Sequence, residues 1–210
     1  MDNSQFIIYW AGALFNHKEL IGNQILANAV KNLSNGKYDV RLPQNFQTPP
    51  STTAVDIRNV DLKELIQCDA IVANFDGAEL DSGTVVEFCV AKALDMPTVL
   101  LRTDFRNSGD ADGIPWNLMC TGWPRTEILW LNSLANYQCH GIEDFHNTLA
   151  SKIIQSLNKA LDMKPWLSAD DAADHFRRTV QSIGGDLDSI LTNETIAAIV
   201  EHKRLKGLLA

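Results

Sequence analysis

Short, almost unbroken apolar runs that alternate with stretches of helical periodicity constrain this chain more than any other feature. Phe6–Ala11 (FIIYWA), Tyr38–Leu42, Ala70–Phe75 (AIVANF), Pro97–Arg102 (PTVLLR) and Glu127–Leu131 (EILWL) have the length and β-former content of strands. Helical segments lie between them. Ile21, Ile25, Ala29 and Leu33 recur four apart and stop at Ser34-Asn35-Gly36, while Val55, Val60, Leu62 and Leu65 place a second helix that ends near Cys68. Two more run from Ser82 to about Leu94 and from about Ile142 to Leu161. Strands that are apolar on both faces need cover on both faces. The expectation is therefore an α/β chain with a five-stranded parallel sheet and helices on both sides. Pro43–Thr53 (PQNFQTPPSTT) reads as a loop, since its prolines fix φ and remove donors. In such sheets small ligands bind beyond the carboxyl ends of the strands. A site is expected just after Tyr9, Phe75 and Arg102.

Lys164-Pro165-Trp166 breaks the helical pattern, which divides the chain into a catalytic-domain-sized part, 1–164, and a helical C-terminal extension, 165–210. The extension contains two polar-rich helical segments, Ala169–Ile183 and Leu187–Leu209, separated by Gly184-Gly185. Ile190, Ile196, Ile199 and Val200 form an apolar stripe that is costly to leave in water, at about 25 cal/mol per Å². They are expected to pack on the core or on a neighbouring subunit. The extension has no second D-x-G-x-x-x-E and no Gly-rich phosphate loop, so its expected role is assembly rather than chemistry.

Composition narrows the function classes. Hydrophobic residues fill 45% and charged residues 21% of 210 positions, the balance of a globular protein with a sizeable core. A net charge of −8 argues against gripping a nucleic-acid backbone, which needs clustered Lys and Arg. Arg177–Arg178 and Lys203–Arg204 sit among acids and read as solvated helix faces. Cys68, Cys89, Cys120 and Cys139 form no C-x-x-C pair, and the five His are scattered, with His140 and His146 in no zinc pattern. Reduced thiols, no signal-peptide pattern and no apolar stretch of about 18 residues together imply a cytoplasmic protein with neither metal nor membrane span.

The most informative stretch is Asp81-Ser-Gly-Thr-Val-Val-Glu87, directly after the strongest strand. Asp81 or Ser82 can cap the following helix, because a side-chain oxygen accepts an orphan N–H. Gly83 admits a ligand or a neighbouring backbone at close range. Glu87 falls about one turn into the helix among Val85, Val86 and Phe88, where the dipole favours its anion. An oriented carboxylate is what attack on an anomeric carbon requires. On spacing alone the pattern is loose, and it also fits a plain cap followed by a solvent-facing glutamate. Two other regions add weight. Tyr9 ends the first strand with a phenol able to orient a carboxylate, although a packed strand Tyr fits the same position. Asn117, in the loop Pro115-Trp116-Asn117-Leu118-Met119, can bond a sugar hydroxyl or simply form a turn.

Four pieces in order resemble the nucleoside 2-deoxyribosyltransferase family across Phe6–Leu131. They are I-Y-W-A-G at Ile8–Gly12, N-V-D-L at Asn59–Leu62, D-S-G-T-V-V-E at Asp81–Glu87, and N-L-M at Asn117–Met119. The resemblance implies a flavodoxin-like fold, and it implies roles position by position. Glu87 matches the nucleophile, Tyr9 the tyrosine that holds it, and Asp61 an aspartate that handles the proton of the base. Asp81 matches the residue on the sugar 5′-hydroxyl. Asn117 and Met119 match residues near the sugar that an adjacent subunit can lend. A glutamine after strand two touches the base in the family; Gln44 is the choice, with Gln47 as the other candidate. The resemblance also implies homo-oligomers, dimers and hexamers, with deoxynucleosides and free nucleobases as the only partners and no cofactor.

The implied reaction is transfer of 2-deoxyribose between bases through a deoxyribosyl-Glu87 intermediate, in a ping-pong sequence that serves nucleoside salvage. Two alternatives stand beside it. The first is a related hydrolase of deoxynucleoside 5′-monophosphates. It needs a phosphate pocket, but the first βα loop, Gly12–Lys18, carries no Arg, and Asp81 would repel a phosphate. The second is a non-catalytic nucleotide-binding module, which has no use for Tyr9 and Glu87 together.

Overall fold

The computed structural model describes residues 5–47, 52–106 and 109–210, the side chains at 140, 142 and 143 excepted. Five strands form one parallel sheet: β1 (Phe6–Ala11), β2 (Tyr38–Arg41), β3 (Ala70–Asn74), β4 (Thr98–Arg102) and β5 (Thr126–Trp130), in the order β2-β1-β3-β4-β5. Helices α1 (His17–Leu33), α2 (Ala54–Gln67), α3 (Ser82–Ala93) and α4 (Ser133–Asp162) connect or follow the strands. Three more, α5 (Ala169–Ile183), α6 (Leu187–Ile190) and α7 (Asn193–Leu205), make up the C-terminal part. This is the flavodoxin-like order, in which the winding reverses between β1 and β3 and leaves a crevice at their carboxyl ends. Tyr9 lies at that place, paired with Arg41 on one side and Ile71 on the other.

Alternation along each strand splits the core into two layers. Tyr9, Ala11, Ile71, Ala73 and Leu100 face α2, α3 and the C-terminal helices. Ile8, Trp10, Val72, Val99 and Leu101 face α1 and α4. Helix starts are fixed by side-chain caps on orphan N–H groups. Asn16 accepts from Lys18 and Glu19, Thr53 forms a capping box with Asp56, and Asp81 accepts from Thr84.

Several expectations need correction. In α1 the spaced Ile21, Ile25 and Leu33 are the exposed side, at 48%, 40% and 43%. The face turned inward is Asn23, Leu26, Ala27 and Val30. Asn23 tolerates burial because its amide is used: Oδ1 accepts from Trp10 Nε1 and Nδ2 donates to Ala13 O. Helix α4 starts at Ser133, not near Ile142, because Asn132 caps it, and Gly141 at φ 69° kinks it just before the expected start. Residues 43–45 form a short 3-10 turn within the expected loop, and 48–51 of that loop lie outside the described residues.

The segment after Pro165 packs on its own chain. Phe176, Val180, Leu187, Ile196, Ile199 and Val200 join the same apolar layer as Leu62, Leu65 and Phe88. Ile190 alone of the predicted stripe stays out, 42% exposed. The second stretch is two helices, since Thr192 caps α7. Arg177 and Arg178 do form a solvated face, both pairing with Asp174. Lys203 does not: it is buried, and its ammonium donates to Cys68 O. Among the described residues no helix is long and apolar enough to cross a membrane.

Candidate active site

The site grows from the carboxyl ends of β1 and β3 and the first turns of α3. Asp81 caps α3 through Oδ2, which accepts from Thr84 N at 2.7 Å and Thr84 Oγ1 at 2.8 Å. Its Oδ1 accepts no hydrogen bond from the described residues. A Cβ at Gly83 would meet that Asp81 carboxylate at 3.2 Å and no backbone. Gly83 therefore leaves room for the cap itself, and no neighbouring backbone approaches it among the described residues. Helix α3 then carries Glu87 inward, where Tyr9 Oη donates to Glu87 Oε1 at 2.5 Å. That length is typical of a hydroxyl bonded to a charged oxygen.

Burial sets the electrostatics. It pushes the Glu87 carboxyl up to about 7; the Tyr9 bond pulls against it, and the Asp61 and Asp81 charges add to the rise. The helix dipole was expected to favour the anion, but its influence fades beyond the first turn, and desolvation wins. Asp61, on α2, accepts no hydrogen bond from the described residues, and burial pushes it up to about 6. Burial first, and then the Glu87 charge, drive the Tyr9 phenol far above its usual range, so Tyr9 remains a donor. Tyr9, Glu87, Asp61 and Asp81 therefore form one electrostatic unit: two carboxyls poised near neutrality, one phenol fixing the first of them, and a third carboxylate on the helix cap. Separated acids poised near working pH suit proton transfer and nucleophilic attack.

The remaining predicted residues make other contacts. Gln44 Nε2 donates to Leu20 O at 2.9 Å, and its buried Oε1 has no partner among the described residues. Gln47 is exposed. Phe46, between them, packs against the Tyr9 ring at 6.2 Å, a contact the sequence did not single out. Asn117 caps a 3-10 turn at Leu118–Cys120 by accepting from Met119 N, and it lines a cleft of about 390 Å³ with Ala78, Glu79 and Leu80, the turn that leads into Asp81. Met119 is 73% exposed. Among the described residues no hydrogen bond joins Gln44, Asn117 or Met119 to the four central groups. A separate cleft of about 370 Å³, lined by Trp10, Asn23, Asp104 and His146, opens on the α1 and α4 face, and Glu87 does not line it.

Arg102 is the polar residue that sequence reading passed over. It is fully buried at the end of β4 and donates to Phe75 O, to Gly77 O at 3.1 Å and to Arg106 O at 2.9 Å. Asp76 accepts from Thr103 and Asp104 across the same gap. Together they fix the turn that delivers Asp81. An arginine closing an apolar run, as in PTVLLR, was the available signal.

With this geometry in place, comparison with known proteins becomes decisive. The family model for nucleoside 2-deoxyribosyltransferase matches residues 8–119, a span that holds all four central groups. The chain belongs to the nucleoside 2-deoxyribosyltransferase family. A conserved protein from Enterococcus faecalis V583 is similar in structure at TM-score 0.56 and 22% identity, over 75% of this chain and 99% of that one. The 2-desoxiribosyltransferase from Leishmania mexicana aligns at TM-score 0.47 and 28% identity, over 65% of this chain and 99% of its own. The 2-deoxyribosyltransferase of the psychrotolerant bacterium Bacillus psychrosaccharolyticus aligns at TM-score 0.48 and 19% identity, over 77% and 99%. No curated protein matches the sequence. The C-terminal helices lie outside the family match.

Proposed function

We propose that this member of the nucleoside 2-deoxyribosyltransferase family transfers 2-deoxyribose from one nucleobase to another through a covalent ester on Glu87. The observation that carries the reading is the 2.5 Å Tyr9–Glu87 bond, with Asp61 and Asp81 in electrostatic reach of the same carboxylate. In the first half-reaction a Glu87 oxygen attacks C1′ as the C1′–N bond breaks. The electron pair leaves with the base, which takes a proton from Asp61. In the second, a nitrogen of the incoming base attacks C1′, the ester electron pair returns to Glu87, and the N–H proton passes to Asp61. Positive charge at C1′ in both transition states is stabilised by the facing carboxylate. A sugar without a 2′-hydroxyl forms that cation more readily.

Asp81 is the group we assign to the sugar 5′-hydroxyl, using the oxygen not spent on Thr84. Gly83 leaves space for that carboxylate. Both terminal nitrogens of Arg102 donate to backbone carbonyls, which supports a structural guanidinium rather than a phosphate ligand and so a nucleoside over a nucleotide substrate. Asn117 and Met119, exposed on their 3-10 turn, suit a site completed by a second copy of the chain in a cytoplasmic homo-oligomer. Gln44 is proposed at the base only if its amide exchanges Leu20 O for the ligand. No cofactor enters the balance.

Incubation with a deoxynucleoside, with and without a second base, tests the reading. New nucleoside in the presence of the second base is the expected result. Free sugar alone makes the protein a hydrolase, and no turnover of either kind makes it a binding module.

A further inference from the structure

Helix α2 brings Asp61 to the site, and the segment after Pro165 holds that helix at both ends. Near its start, Asn59 is 2% exposed and its Nδ2 donates to Gly185 O at 2.5 Å. Arg58 Nη2 donates to Gly184 O at 2.7 Å and to Asn59 Oδ1 at 2.8 Å, so both side chains are tied to one turn and to each other. That turn joins α5 to α6 and has φ of 67° and 68° at its two glycines. A Cβ at Gly185 would lie 2.4 Å from Arg58 Nη2 and 3.2 Å from Val55 Cγ1, so only glycine permits this approach. At the far end of α2, Lys203 donates to Cys68 O, and the next residue, Asp69, accepts from His202 at 2.9 Å and Lys206 at 2.7 Å. Leu62, Leu65 and Ile66 of α2 share one apolar layer with Phe176, Leu187 and Ile196.

We infer that residues 165–210 act as an intramolecular clamp on α2, with Arg58 and Asn59 as positioning residues that set Asp61 opposite Glu87. Helical geometry explains the division of labour. Asn59 lies two residues before Asp61, about 200° around the helix, so its anchor holds the face opposite the carboxylate, while Arg58, three residues before Asp61, ties the carboxylate's own side to the same turn. A displacement of about 1 Å in a reacting group is enough to cost about 100-fold in rate. The sequence pointed to assembly for this segment; the contacts point to the placement of one catalytic carboxyl. The inference rests on the role proposed above for Asp61.

The test uses full-length Arg58→Ala and Gly185→Ala. The first keeps the backbone turn intact and stands alone if the second does not fold. Amide hydrogen exchange reports the clamp without reference to catalysis, and both variants should exchange at least about tenfold faster along α2 than the unaltered protein. Two substrates then report Asp61: a purine deoxynucleoside, whose base needs a proton to leave, and 4-nitrophenyl 2-deoxyriboside, whose leaving group needs none. The expected result is a loss of about 10- to 100-fold in kcat/KM for the nucleoside and much less for the aryl glycoside, with Arg58→Lys recovering part of the loss. Unchanged exchange along α2 would overturn the clamp. Faster exchange with equal losses on both substrates would reduce the segment to plain support and overturn the positioning role. An unaltered protein inactive on both substrates would overturn the transferase reading instead, and hydrogen exchange would still decide the clamp.

Discussion

Two regions that the sequence marked for substrate contact end up in opposite circumstances. Tyr9, Asp61, Asp81 and Glu87 stand on a strand and two helices, partly or fully buried, and the other three all act on the ionisation of Glu87. Asn117 and Met119 stand on a 3-10 turn at the surface, where Asn117 bonds only its own turn among the described residues and Met119 is 73% exposed. Regular elements fix the direction of a side chain through the sheet register and the helical repeat, so residues far apart in sequence converge within one chain. A short surface turn has no such constraint and faces outward, towards solvent or another copy. The inner group should therefore carry chemistry that one chain specifies, and the outer pair should carry binding that depends on assembly.

Replacement of the nucleophile is the strongest way to break this contrast. Glu87→Ala should lower transfer by at least about 1000-fold while circular dichroism stays unchanged. Asp61→Asn should follow, at about 100- to 10,000-fold for a base that needs protonation. Its pH profile is the sharper readout. Glu87 must be ionised and Asp61 protonated, so in the unaltered protein kcat/KM should peak between about 6 and about 7. The two limbs belong to the coupled pair rather than to either residue alone. Asp61→Asn removes one member of the pair, so the fall at high pH should vanish and leave a single rise that belongs to Glu87, below about 7 because the Asp61 charge no longer raises it.

Tyr9→Phe should cost about 10- to 100-fold, the worth of one hydrogen bond to a charged group. That bond lowers Glu87, so its loss should carry the Glu87 titration, and with it the profile, to higher pH. The outer pair should give the smallest effect, and it tests the other half of the comparison. Asn117→Ala should raise KM by less than about tenfold, the worth of about one neutral hydrogen bond, with kcat nearly kept. If a second copy lends Asn117, mixing Asn117→Ala with an excess of Glu87→Ala should bring the raised KM back towards that of the unaltered protein. Failure to restore it after subunit exchange would place Asn117 in the site of its own chain.

Much of this contrast was legible in the sequence. The apolar strands announced a parallel sheet, and with it the crevice where Tyr9 and the Asp81–Glu87 helix meet. What escaped depended on partners distant in sequence. The inward face of α1 contains Asn23, which no hydropathy pattern selects, because its burial rests on Trp10 and Ala13. Lys203 looked like a surface charge, yet it is buried on the carbonyl of Cys68. The sign of the Glu87 shift was also hidden: a dipole can be read from helix position, whereas desolvation depends on everything that surrounds the carboxyl. The anchoring contacts of Arg58 and Asn59 were hidden for the same reason, since their partners lie in the turn at Gly184-Gly185.

The central claim is that Glu87 forms a covalent bond to the sugar. Intact-protein mass spectrometry with a deoxynucleoside that turns over slowly measures this directly. The account predicts a gain equal to one deoxyribosyl group, located on Glu87 by peptide mapping, which disappears when a second base is added and new nucleoside forms. A protein that makes new nucleoside without ever carrying the sugar, or that carries it on another residue, would contradict the account.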